Sequence, residues 1–259
     1  MTYRDNAAKQ RLKAGEKILG CWINTGSEIV TELTANVGFD YLLIDQEHGV
    51  GDNLELIHQL QAARHTPATA IVRVAGKDPV MIKRALDAGA EGIMIPLVET
   101  AEEARQMVAA CRFPSEGFRG AGWGGARCSL FALIPDYVEK ATERLLIVIQ
   151  VETRLAIENI DELVAVEGVD VIFIGPTDLS GSYGKLGNPF QPEMREGLAR
   201  AEAKIRASGK ALGTVPFKRT WVELFEAGYA MVNSASDTAM LRDRSLADVA
   251  EFRTRFRTG

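Results

Sequence analysis

Gly38-Phe-Asp-Tyr-Leu-Leu-Ile-Asp-Gln-Glu-His48 holds the repeating unit of the fold in eleven residues. The glycine suits a left-handed helix C-cap, a conformation that a Cβ disfavours. A two-residue link leads into the apolar run Tyr41–Asp45, and three polar residues follow it. The run is continuously apolar instead of alternating, as expected for a strand buried on both faces of a parallel sheet.

The same unit recurs along the chain. Further runs of this kind are Leu19–Ile23, Thr69–Val74, Gly92–Ile95, Leu145–Val151, Val169–Ile174, Ala211–Val215 and Tyr229–Asn233. Glycines at 89, 168, 209 and 228 close the helical segments before several of them. Met194, Leu198, Ala201 and Ile205 form a helical apolar stripe. Asp78-Pro79 reads as an N-cap with proline at the first helical position, and Thr100 to Glu103 has capping-box spacing. Eight such βα units predict an α/β fold, a (β/α)₈ barrel, in a single domain spanning 1–259. An open doubly wound sheet is the alternative, and no GxGxxG follows the first strand to favour it. The interval Arg112–Arg144 lacks a clear strand and contains the glycine-rich stretch 117–125, which predicts an inserted mobile loop serving as a lid or a subunit contact.

Composition narrows the class. The chain has 259 residues, 46% hydrophobic and 25% charged, with a net charge of −5. It has no long basic block, so nucleic acid is excluded as an expected partner. No apolar run is long enough to span a bilayer, and the polar N-terminus reads as a short amphipathic helix without a signal core. Cys21, Cys111 and Cys128 form no CxxC pair and read as reduced, buried thiols. A cytoplasmic enzyme with no membrane partner is the expectation.

Barrel active sites lie at the C-terminal ends of the strands. That rule selects Trp22 and Asn24, then Asp45, Glu47 and His48, then Arg73, Pro96, Gln150 and Glu152. It also selects Pro176, Thr177 and Asp178. Glu152 and Asp178, from adjacent strands, suit a hard divalent cation such as Mg²⁺ or Mn²⁺, with pairing to arginines as the alternative. His48 follows Asp45 by three residues, so the carboxylate is expected to orient the imidazole, unless His48 is an ordinary loop histidine. His58 and His65 fall at surface or boundary positions. Arg73 ends an apolar run and must meet either an anionic ligand or Asp45 or Glu47. Ser234–Thr238 reads as a helix cap in preference to a phosphate site.

Together these segments resemble the HpcH/HpaI family of class II, pyruvate-dependent aldolases. Asp45–His48 is similar to its DxEH signature, Gln150–Thr153 to QxET, and Gly175–Ser180 to GPxDLS. Gly120 and Ala126-Arg127, ahead of Ile134-Pro-Asp-Tyr137, match in order. The resemblance runs from about Gly20 to near the C-terminus. It implies a barrel assembled as a homo-hexamer, a trimer of dimers, whose subunits exchange a C-terminal helix. It implies a divalent metal cofactor (Mg²⁺, Mn²⁺ or Co²⁺) on Glu152 and Asp178, with Gln150 and the Thr177–Asp178 backbone holding the 2-oxo acid. Arg73 then stabilises the enolate oxygen, His48 with Asp45 acts as acid or base through water, and Trp22 and Pro176 line the pocket. Asp87 matches an aspartate that raises the basicity of a histidine across a subunit interface. The implied partners are a small 2-oxo acid and an aldehyde. The implied reaction is reversible cleavage of 4-hydroxy-2-oxo acids to pyruvate, or a relative such as hydroxypyruvate, and an aldehyde.

Thr177 and Gln46 depart from residues common in that family, as does the run Cys128–Phe131, and these departures bear on the aldehyde side. Oxaloacetate decarboxylation and acyl-CoA lyase chemistry would use the same enolate. A Schiff-base aldolase needs an interior lysine, and Lys17, Lys77, Lys210 and Lys218 all lie outside the strands. A non-catalytic barrel would lack one or more of these site residues.

Overall fold

The computed structural model describes residues 3–257; Met1, Thr2, Thr258 and Gly259, the ends of the expected 1–259 span, lie outside the described residues. Eight strands are present: β1 (Ile18–Ile23), β2 (Tyr41–Asp45), β3 (Thr69–Arg73), β4 (Gly92–Ile95), β5 (Leu146–Val151), β6 (Val171–Ile174), β7 (Ala211–Thr214) and β8 (Met231–Ser236). All pair in parallel and close in the order β1 to β8. The open-sheet alternative is thereby excluded.

The helices are α1 (Ala7–Lys13), α2 (Glu28–Val37), α3 (Asn53–Ala63), α4 (Pro79–Ala88), α5 (Ala101–Cys111) and α6 (Tyr137–Arg144). They continue with α7 (Arg154–Glu158), α8 (Ile160–Leu163), α9 (Pro176–Ser182), α10 (Pro192–Ala207), α11 (Trp221–Glu226) and α12 (Asp237–Phe256). The predicted caps form. Asp78 accepts from the Val80 N–H, Thr100 and Glu103 make a capping box, and Ser236 caps α12 by accepting from the Ala239 N–H. Gly38 and Gly89 adopt the left-handed cap at φ 112° and 103°.

Strand parity divides the core. Leu42, Ile44, Val72 and Ile172 point outward to the helices. Ile18, Tyr41, Leu43, Ile71, Val148 and Phe173 fill the barrel. Gly20 is required here, because a Cβ on it would lie 2.3 Å from the Tyr41 ring. That ring crosses the interior, and its hydroxyl donates to Asn233 Oδ1 at 2.8 Å.

Helix α1 plugs the N-terminal end of the barrel. Ala8 is fully buried, and Lys9 Nζ donates to the Leu145 carbonyl at 2.6 Å and to Asp170 Oδ2 at 3.0 Å. The 112–144 interval is without a strand, as expected, and carries local structure. It forms two short 3₁₀ turns and α6 around a small core of Phe113, Cys128, Ile134 and Tyr137. Arg127 ties it to the C-terminal end of α4 by donating to the Ala88 carbonyl at 2.6 Å.

Candidate active site

Continuing the inward parity upward places the polar cluster. Trp22 follows Gly20, Asp45 follows Leu43, Arg73 follows Ile71, and Gln150 and Glu152 follow Val148. Each is the next inward position at a strand's C-terminal end, because side chains alternate every residue. The chain therefore raises charge only where the apolar filling stops.

Asp45 and Arg73 are register partners on β2 and β3. Arg73 Nε donates to Asp45 Oδ1 at 2.9 Å, and NH2 donates to Oδ2 at 2.6 Å. Arg73 NH1 lies 2.8 Å from Glu47 Oε2. The Trp22 ring covers the guanidinium at 4.4 Å, and its indole N–H donates to Asp45 at 3.1 Å. Asn24 adds a further bond to Asp45 at 2.9 Å. Burial alone would push the Asp45 carboxyl up, but the Arg73 bonds and charge, with the Glu47 N–H and the indole, outweigh it and hold it below the ordinary value.

One alternative for Arg73 is realised here, and one expectation for Asp45 is corrected. Arg73 takes the ion-pair alternative, engaging both Asp45 and Glu47. Asp45 does not orient the His48 imidazole; it accepts the His48 backbone N–H at 3.3 Å. The reason is capacity, since the Asp45 oxygens are taken up by Arg73, Trp22 and Asn24. The imidazole is exposed at the rim, with Nε2 3.9 Å from Glu47 Oε1.

Across the mouth, Glu152 is buried. Leu97 N–H donates to its Oε1 at 2.9 Å, and Gln150 Nε2 donates to its Oε2 at 3.2 Å. Gly175 leaves it room, because a Cβ there would lie 2.2 Å from Oε2. Burial, with the neighbouring charges of Asp178 and Glu47, pushes the Glu152 carboxyl up to about 7 against the opposing pull of the Leu97 N–H and Arg73. Pro176 opens α9 and is buried, while Thr177 and Asp178 are exposed in its first turn. Among the described residues, Gln150 Oε1 is buried without a partner.

Asp87 stands apart from this cluster, on α4, where Arg119 NH2 donates to it at 2.8 Å. Strand-end reasoning named Glu47 but gave it no role beyond pairing, reached Gly175 without assigning it the room it leaves for Glu152, and overlooked Leu97. Leu97 owes its part to a left-handed backbone at φ 55°, for which a leucine offers no sequence signal. Two of the four lysines weighed for a Schiff base are occupied elsewhere: Lys77 pairs with Glu103, and Lys210 Nζ donates to the Val166 and Val169 carbonyls.

The sequence profile of the HpcH/HpaI aldolase/citrate lyase family matches residues 18–243. The chain belongs to this family. Membership makes it a carbon–carbon lyase, and its relatives agree along the whole chain. It is 40% identical over 249 residues to a 4-hydroxy-2-oxo-heptane-1,7-dioate aldolase of Escherichia coli, covering 96% of this chain and 95% of that one. It superposes on an HpcH/HpaI aldolase/citrate lyase family protein from Burkholderia cenocepacia J2315 with a TM-score of 0.91 at 34% identity, covering 96% and 99% of the two chains. An HpcH/HpaI aldolase from Desulfitobacterium hafniense DCB-2 gives 0.86 at 28% identity, covering 95% and 96%.

Proposed function

We propose that this chain is a cytoplasmic aldolase that cleaves 4-hydroxy-2-oxo acids to pyruvate, or a related 2-oxo acid, and an aldehyde, with a divalent cation held by Glu152 and Asp178. The observation that carries the reading is the buried Glu152 carboxylate at the barrel mouth, seated by the Leu97 N–H at 2.9 Å and Gln150 Nε2 at 3.2 Å, with the carboxylates of Asp178 and Glu47 as charged neighbours. Such a concentration of negative charge calls for a cation. Among the described residues no group of three or more His, Cys, Asp and Glu side chains is arranged to hold a metal. Two carboxylates with the remaining positions left to water and substrate oxygens are the arrangement that suits Mg²⁺, Mn²⁺ or Co²⁺ chemistry. The unpartnered Gln150 Oε1 fits the same reading, since a buried polar atom of this kind needs a ligand or water.

When bound, the cation supplies Lewis acidity to the carbonyl of a 2-oxo acid. The protein's own groups do the rest. Gln150 and the Thr177–Asp178 backbone hold the 2-oxo acid. Arg73 has two of its five N–H groups hydrogen-bonded to Asp45, and its NH1 is ion-paired with Glu47, which leaves N–H groups for a ligand oxygen. They face the charge that develops on the C2 oxygen, and the Trp22 ring keeps the fork in place. His48 Nε2 takes the proton of the C4 hydroxyl, directly or through water. The C3–C4 bond breaks, its electron pair moves toward the C2 oxygen, and the aldehyde leaves. A proton returned to C3 completes pyruvate.

Assembly as a homo-hexamer, a trimer of dimers exchanging α12, belongs to the same proposal. Helix α12 has a single buried residue, Asp237, while Leu241, Val249, Phe252 and Phe256 fall on one exposed face. Ile29, Leu33 and Val37 form an equally exposed stripe on α2. Such apolar faces call for a partner, and a second copy supplies the matching one. The intersubunit role of Asp87 rests on this assembly. Among the described residues no helix is long and apolar enough to cross a membrane.

Pyruvate release from a 4-hydroxy-2-oxo acid tests the reading in Asp178→Ala. The expectation is loss of turnover with the fold retained. Unchanged turnover would remove Asp178 from the site.

A further inference from the structure

A second concavity lies beside the mouth. A cleft of about 750 Å³ opens between α10 and the segment that joins β7 to α11. That volume suits a small organic ligand. Its walls are apolar, built from Met194 and Leu198 of α10, Leu224 of α11, and Phe217 and Tyr229. Phe190 also lines it and is 66% exposed. Pro176 and Val215 close the inner end at the barrel rim.

Charge at the cleft is one-sided. Arg195, Lys218 and Arg219 line it, and among the described residues none has a carboxylate within 4.0 Å. The other basic residues late in α10 are paired, Lys204 with Asp161 and Arg206 with Glu202. Two carboxylates also line the cleft. Glu202 is already engaged by the Tyr229 hydroxyl at 2.7 Å and by Arg206 at 3.5 Å, which leaves Glu196 alone against three cations. Lys218 sits in the left-handed region at φ 59°.

We propose that this cleft binds an amphipathic organic anion, an aryl- or alkyl-carboxylate. Its apolar body lies against Leu198, Phe190 and Phe217, and its head group meets the guanidinium forks and Lys218. The site lies beside the aldol centre and shares the Pro176 and Val215 walls of the rim with it. Because Pro176 begins the turn that carries Asp178, occupancy of the cleft bears on the rim of the mouth.

Calorimetric titration of the full chain with 4-phenylbutanoate at low ionic strength tests this. The combined variant Arg195→Gln, Lys218→Gln, Arg219→Gln removes the cations at exposed positions, and Ala199→Trp fills the cleft from an exposed position on α10. The prediction is saturable binding in the wild type, weakened at least about tenfold by either variant, as expected for loss of charge-assisted bonds or of the cavity. Asp178→Asn is predicted to bind the probe as tightly as the wild type. Three results overturn the proposal: no saturable binding, binding that both cleft variants leave intact, or binding abolished by Asp178→Asn. Because Asp178→Asn reports on the aldol site alone, failure of the cleft and failure of the proposed reaction are distinguishable.

Discussion

Arg73 and Asp45 face each other in register on neighbouring strands and meet through two parallel bonds, 2.9 Å and 2.6 Å long, at the last inward positions of β3 and β2. The pair is almost wholly buried, with 8% and 0% side-chain exposure. It fixes the fork whose remaining N–H groups, in the proposed reaction, meet the developing charge, so one contact would serve both the fold and the chemistry.

Removing the cation should therefore show twice. Arg73→Met leaves Asp45 buried and uncompensated, which costs about 3–5 kcal/mol. It also removes the donor for the C2 oxygen, and kcat should fall by about 10²–10³-fold. Chemical denaturation and steady-state pyruvate release measure the two effects. Arg73→Lys should recover part of the stability and little of the rate, because an ammonium cannot reproduce the fork.

Gly175→Ala tests the seat of Glu152. The added Cβ would lie 2.2 Å from Oε2 and 2.8 Å from the Glu152 Cβ, so the carboxylate must move. Divalent cation affinity should fall by about tenfold or more, in the range seen when groups supporting a ligand are lost. Calorimetric titration with Mn²⁺ reads this without reference to turnover.

The raised Glu152 carboxyl gives a pH signature with a defined sign. Between the ordinary carboxylate value and about 7, the folded chain holds a proton that the unfolded chain has released. Stability of the cation-free protein therefore falls as pH rises through that window, and Glu152→Gln should flatten this slope. Cation binding displaces the same proton, so Mn²⁺ affinity should weaken as pH drops below about 7. Thermal melts and titrations at several pH values check both.

At the opposite end of the barrel, Lys9→Met breaks the bonds to Asp170 and the Leu145 carbonyl. The burial of that end predicts a loss of about 1–3 kcal/mol. The kinetic constants should stay unchanged, because nothing at that end touches the mouth.

The apolar face of α12 predicts assembly. Phe252→Glu should shift the protein to smaller species by analytical ultracentrifugation, because a charge would be buried in the exchanged contact.

Much of this was legible before any coordinates. Tyr41–Asp45 and Gly92–Ile95 match their strands end to end, because both are continuous apolar runs with a glycine at the close of the preceding helix. Strand β8 was less legible. Its polar second half, Ser234–Ser236, looks like a cap, yet it pairs with β1 beyond an irregularity at Gly20/Cys21. Strand-end position picked out Trp22, Arg73, Gln150 and Glu152. Which charges pair was not readable, because a spacing of three residues between Asp45 and His48 says nothing about the donors arriving from β1 and β3. Leu97 was hidden for a different reason: it acts through its backbone N–H in a conformation that its side chain does not announce.

The central claim is a cation-dependent cleavage at Glu152 and Asp178. The most direct measurement is pyruvate release from a 4-hydroxy-2-oxo acid by protein stripped with EDTA and verified metal-free, before and after Mg²⁺, Mn²⁺ or Co²⁺ is restored. The account predicts that activity disappears on stripping and returns with the cation in the wild type, and that it does not return in Glu152→Gln. Full activity in the verified metal-free protein would contradict it.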